Sequence, residues 1–353
     1  MKHSQSGFTL IEMIIAVSIS AMVLAGAMSV QLVFHRSTNE EESIADMQAN
    51  LDGIRFYVQK SMRQVGAGLG ASVAFYNCRG SVETVNTLGI HNNNSIPVVP
   101  DITEGGTDTD PDWIEYTLAS NLTVTYIDGS FSKSWADVKD STGFYKKNVL
   151  GLTINGVTCL MRLTNTVSNA HGDRLHFAPA HGGPFCMNQV VVMEDACGVT
   201  SNGSTTPSSP IPIINLGEFP FHALRVDNTT SPDSPMLMHG VRMMQDDSSD
   251  YIWTPLALGV EDMQLAFHVD TSDPPDDRGD IWVSSRDTLA TEVGRMRALR
   301  ISIVIRTPTP TSPIATARPA FEDRPVGDFD RYKRRTMRFV AKIPNRPSAG
   351  GTI

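Results

Sequence analysis

The sequence predicts an α+β fold: one long N-terminal helix, membrane-spanning in its first half and amphipathic in its second, packed on a β-rich C-terminal globular head. Three observations predict it. Residues Met13 to Phe34 run for 22 positions without a charge. Met47, Leu51, Ile54, Val58, Met62 and Val65 then recur at steps of three and four. Beyond residue 70, short alternating runs are separated by Gly, Pro, Asn, Asp and Ser clusters.

The uncharged run comes first. A bilayer core needs about 20 apolar residues in helical form, so this stretch is long enough to cross one. Lys2 and His3 precede it, and an acidic stretch of Glu40, Glu41, Glu42 and Asp46 follows. Positive flanks stay in the cytoplasm, so the remainder of the chain is expected to be exported. Glu12 sits a few residues inside the apolar segment. A carboxylate at bilayer depth costs on the order of 2–4 kcal/mol, so it calls for a partner. Cleavage after Gly7 would supply one, because Phe8 would then carry a free amine. Helices stacked with an axial offset would bring the amine of one subunit to Glu12 of the next. Two other readings are an ordinary signal cut after Ala25-Gly26-Ala27 and an uncleaved anchor; neither accounts for Glu12.

The stripe Met47–Val65 lies on one helical face, with Asp46, Gln48, Asp52, Arg55, Gln59, Lys60 and Arg63 on the others. No proline occurs before Pro97, and Gly66, Gly68 and Gly70 end the pattern. The helix is therefore predicted to be continuous over 8–66, its span at about 8–34, and roughly 85–90 Å long. Gly26 is the position where it could melt locally.

Residues 67–353 read as the head. Trp113–Leu118, Leu122–Tyr126, Val157–Leu163, Arg174–Phe177 and Val190–Met193 read as strands. Two further strands alternate cleanly: Met263, Leu265, Phe267 and Val269 in one, Leu299, Ile301, Ile303 and Ile305 in the other. Each is expected to turn an apolar face to the core and a mostly polar face outward. Residues 199–210 form a linker-like stretch and a candidate boundary between two lobes.

A formal charge of −9 disfavours nucleic acid, which needs phosphates neutralised. The local exception, Arg331, Lys333, Arg334, Arg335 and Arg338, reads as a solvated strand face. Four cysteines, Cys78, Cys159, Cys186 and Cys197, allow three pairings in an exported domain. Cys186–Cys197 closes a short loop and would leave Cys78–Cys159. His171, His176 and His181 are spaced by five, with Asp173 between; that spacing alternates faces of a strand and suits shared metal ligation poorly, so surface histidines are the better reading. Asp108, Asp110 and Asp112 alternate, but Pro111 and the lack of a glycine at the sixth position defeat an EF-hand reading. Asp270, Asp273, Asp276 and Asp277, with Asp280, are oxygen-rich enough to be weak calcium candidates, although a solvated acidic loop is the better reading. No G-x-S-x-G elbow or phosphate loop occurs, and no catalytic residue is assigned.

Gly7-Phe8-Thr9-Leu10-Ile11-Glu12 before an apolar run resembles the type III signal of type IV pilins and type II secretion pseudopilins. The resemblance implies cleavage between Gly7 and Phe8 by prepilin peptidase, N-methylation of Phe8, and a role for Glu12 in guiding the subunit into a filament. Met47-Gln48-Ala49-Asn50-Leu51, Arg55-Phe56, Met62-Arg63-Gln64-Val65-Gly66, Gly259-Val260-Glu261-Asp262-Met263-Gln264, Arg297-Ala298-Leu299-Arg300-Ile301 and a last strand at 334–345 are similar, in that order, to the PilW family of minor pilins. That family resembles the J-type minor pseudopilin as well. The resemblance implies a non-enzymatic subunit in a priming or tip complex. Its partners would be other minor pilins, the major pilin, prepilin peptidase and the inner-membrane assembly platform. The alternatives are a type II secretion pseudopilin and a tip adhesin whose loops at 80–110 and 199–250 carry recognition. The expected location is the inner membrane with the head in the periplasm, then the pilus.

Overall fold

Helix α1 runs from Leu10 to Gln64, 55 residues, or about 82 Å at 1.5 Å per residue. The computed structural model describes residues 9–65, 67, 72–76, 82–86, 101–103, 111–119, 122–154, 157–169, 172–177, 199, 207, 209–218, 220–230, 232–242, 251–270, 280–284, 296–310, 312–322 and 324–342. They fall into two compact units, residues 1–49 and 50–353.

In the first unit the described residues from Leu10 onward are all helical. The large apolar side chains between Leu10 and Phe34 face outward, with Leu10 80% and Phe34 68% exposed. This is a surface that water alone would not favour, and the helix is long and apolar enough to cross a membrane. Two of its hydroxyls bond back to the helix: Ser18 donates to the Ile14 carbonyl and Ser29 to that of Gly26. The helix passes through Gly26 unbroken.

The second unit opens with the end of α1, residues 50–64, here called the stem. Leu51, Ile54, Val58, Met62 and Val65 are each at most 2% exposed, and Met47 is buried too, so the whole predicted stripe is covered. Gln59 Nε2 donates to the Val340 carbonyl at 3.2 Å.

The chain then visits three main sheets. It enters the first with β1 (Ser72–Tyr76) and β2 (Val82–Asn86), and the second with β3 (Asp101–Thr103) and β4 (Trp113–Thr117). It returns to the first for β5 (Thr123–Ser132), β6 (Trp135–Val138), β7 (Val149–Ile154), β8 (Val157–Arg162), β9 (Asn165–Asn169), β10 (Gly172–His176) and β11 (Pro212–Gly217). Strands β12 (Phe221–Asp227), β13 (Met236–Arg242) and β14 (Ile252–Leu258) complete the second sheet. The third contains β15 (Val260–Asp270), β16 (Asp280–Val283), β17 (Met296–Arg306) and β20 (Arg334–Lys342). A two-stranded ribbon, β18 (Thr316–Ala317) with β19 (Phe329–Asp330), lies between the last two of these in sequence.

The sheet orders are β2-β1-β8-β7-β11-β5-β6-β10-β9, β14-β13-β12-β4-β3 and β16-β15-β17-β20. Pairing is antiparallel except between β1 and β8. The first sheet has its own core of Ile127, Phe131, Leu150, Leu152, Met161 and Phe177 with their neighbours. The second and third sheets are tied together by Asp112, whose Oδ2 accepts from the Leu265 N–H at 2.8 Å. The chain passes from the first sheet to the second between Gly217 and Phe221. Of the predicted boundary at 199–210, only Val199, Pro207, Ser209 and Pro210 are among the described residues, and Val190–Met193 lies outside them.

The third sheet departs from expectation on its polar face. Leu299, Ile301, Ile303 and Ile305 are buried as predicted, but Asp262, Gln264, Ser302 and Val304 on the opposite face are at most 2% exposed as well. Residues 307–333 cross that face as a strap, so β15 and β17 are covered on both sides. Turning from β14 into β15 requires Gly259: its φ is +78°, and a Cβ there would lie 2.7 Å from the Arg306 carbonyl oxygen.

Candidate assembly site

Thr9 stands immediately before the first helical residue, and Glu12 follows three positions later. That is the capping-box spacing, in which two side chains satisfy each other's orphan N–H groups. Glu12 Oε2 accepts from Thr9 N–H and from Thr9 Oγ1, both at 2.9 Å, and Thr9 Oγ1 accepts from Glu12 N–H at 3.4 Å. An acid in the first turn also meets the positive end of the helix dipole. The predicted carboxylate is therefore at the helix start, exposed, and held by its own chain. The capping role is legible in the sequence as Thr-x-x-Glu, Thr9 to Glu12, a signal the bilayer cost of the acid overshadows. Gly7 and Phe8 lie outside the described residues.

A second cluster holds the strap to the third sheet. Asp262, fully buried on β15, accepts from Arg318 Nη1 at 2.7 Å and pairs with Arg324. Glu322 accepts from Arg300 Nε at 3.0 Å and from Arg300 Nη2 at 2.6 Å. Arg334 donates to both Glu261 oxygens, at 2.6 and 3.0 Å, and pairs with Asp330. Its carboxylate partners push the Arg334 guanidinium pKa up against the opposing effect of burial, and Arg334 holds Asp330 below the usual carboxylate range. The expected solvated strand face is thus only half present. The Arg335 residue is exposed and half of the Arg338 side chain reaches solvent, but the Arg334 side chain is 6% exposed because two carboxylates share it.

The remaining candidates separate. Cys159 is disulfide-bonded; Cys78, Cys186 and Cys197, one of which is its partner, lie outside the described residues. His176 is on β10, while His171 and His181 lie outside the described residues. Asp173 accepts from Ser141 and Ser168, which lower its pKa, and so serves a turn. Asp273, Asp276 and Asp277 are outside the described residues, and Asp270 is described only as the end of β15. Among the described residues no group of His, Cys, Asp and Glu is arranged to hold a metal.

Two family models match. The prokaryotic N-terminal methylation motif covers residues 2–28, which include Gly7, Phe8 and the capped Glu12. Type IV Pilus-assembly protein W covers residues 224–345, which include β13 to β20 and the strap with its ion pairs. No curated protein and no solved structure matches the chain.

Proposed function

We propose that this chain is a PilW-like type IV minor pilin, anchored in a membrane by α1, and that it acts in the initiation of pilus assembly or at the pilus tip, by helix packing and without catalysis. Prepilin peptidase cuts between Gly7 and Phe8 and methylates the new amine. The head stands in the periplasm until the inner-membrane platform passes the subunit into the filament. There its partners are the other minor pilins and the major pilin.

The observation that carries this reading is the placement of Glu12. Its carboxylate is at the first turn of a helix with an outward-facing apolar surface, and its hydrogen bonds run to Thr9. In the membrane the capping box compensates part of the charge. In the filament, the amine of a neighbouring Phe8 replaces Thr9. Giving up a cap costs about 1 kcal/mol; leaving a carboxylate unpaired in an apolar medium costs several times that. The exchange therefore favours assembly.

Two substitutions in the full-length protein separate capping from pairing. Thr9→Val removes the hydroxyl but leaves the charge, so the protein should still enter sheared filaments. Glu12→Gln removes the charge and should abolish entry while leaving cleavage intact. Entry of the Glu12→Gln protein at the wild-type level would contradict the proposal.

A further inference from the structure

The stem meets the second sheet through a polar chain that no part of the filament reading uses. His222 on β12 and His239 on β13 are diagonal neighbours, since His222 pairs with Val241 and Leu224 with His239. His222 Nδ1 lies 3.0 Å from His239 Nε2. The ring planes differ by 8° and their centroids are 5.2 Å apart. With so short an N···N contact, that separation means the rings meet edge to edge, each nitrogen aimed at the other. His239 Nε2 is also 2.9 Å from the hydroxyl of Tyr57 on the stem. On the other side His222 stacks on Tyr116 of β4, with centroids 5.5 Å apart.

A neutral imidazole carries one N–H and one lone pair. The edge contact needs a lone pair on one side and an N–H on the other, so it tolerates one extra proton at most. With both rings doubly protonated, two N–H groups and two positive charges face each other at 3.0 Å. The groups facing the pair are Tyr57 and the nearby Ser61 from the stem, Tyr116 from β4, and Thr254 of β14, which donates to the His239 carbonyl. What shifts the two rings is their burial and, for His222, the charge of His239.

We propose that His222 and His239 form an acid-sensitive latch for the stem: while both rings are neutral they hold residues 50–64 on the second sheet, and their double protonation lets the stem go. Burial lowers both pKa values, that of His222 to about 4 with the charge of His239 as the second cause. Unfolded histidine titrates near about 6.5. The folded state thus binds protons less readily than the unfolded one. The latch is fully in place above about pH 6.5 and is lost progressively as the pH falls toward about 4. The deprotonated pair is the holding form.

Hydrogen exchange of amides 50–64, measured on the full-length protein in detergent and corrected for intrinsic rates, tests this. Stem protection should fall between about pH 7.5 and about pH 4.5 while that of the first sheet holds. The double variant His222→Asn, His239→Gln places amide groups where Nδ1 and Nε2 stand and cannot titrate; it should keep its stem protection in acid. Equal loosening of the variant, or an unchanged wild-type stem at the lower pH, would overturn the latch. Should the double variant fail to fold, ring resonances of the wild type decide. Both imidazoles titrating near the unperturbed value, with no change in stem protection, would overturn it equally.

Discussion

Asp262 is the residue on which the strap most depends. It is fully buried, and both of its oxygens face arginines, Arg318 and Arg324, whose side chains are 8% and 11% exposed. Removing one member of such a network leaves the other charges buried without a counterion, which costs about 3–5 kcal/mol. Asp262→Asn, similar in volume, should therefore lower the stability of the head by about that amount in urea unfolding, with the loss traceable to residues 307–333. Nothing in the sequence near Arg318 or Arg324 announced this pairing, because the partners are 56 and 62 positions away. What was legible was the Gly259-Val260-Glu261-Asp262 string itself. Its glycine and two acids each have a physical reason in the structure: a positive φ, and one arginine cluster apiece.

The stem shows how far a period carries at the level of one element. Six apolar residues at helical spacing predicted a buried face, and all six are buried. Ile54, 1% exposed, and Phe56, 70% exposed, lie two residues apart. Ile54→Ala should destabilise the head by about 2–5 kcal/mol through a lost side chain and a cavity. Phe56→Ala should move it by no more than about 0.5 kcal/mol. Thermal unfolding of the two variants checks the contrast; similar losses would mean that the stripe is not the packed face. The strands β15 and β17 show where periodicity stops. Alternation correctly gave their apolar face, but it reads the opposite face as solvent-facing whenever that face is polar. Here the polar residues are buried because a later segment brings matching charges to them. A period reports the nearest neighbours of a residue along its own element, and says nothing of a strap supplied from elsewhere in the chain.

At the scale of the whole molecule, the chain divides into an exposed apolar helix and a head of three main sheets. The order of helix, stem and β-rich head was legible because each has a different hydrophobic period. The routing of the head, which leaves its second sheet after β4 and returns at β12, was not, since pairing between strands distant in sequence leaves no local mark. The proposed filament function hangs on one covalent event at the start of the chain, without which Glu12 has no amine to meet. Mass spectrometry of the mature N-terminal peptide, from protein isolated from membranes or filaments, examines that event most directly. The mature chain should begin at methylated Phe8. A mature chain beginning at Met28, or one that keeps Met1 to Gly7, would contradict it.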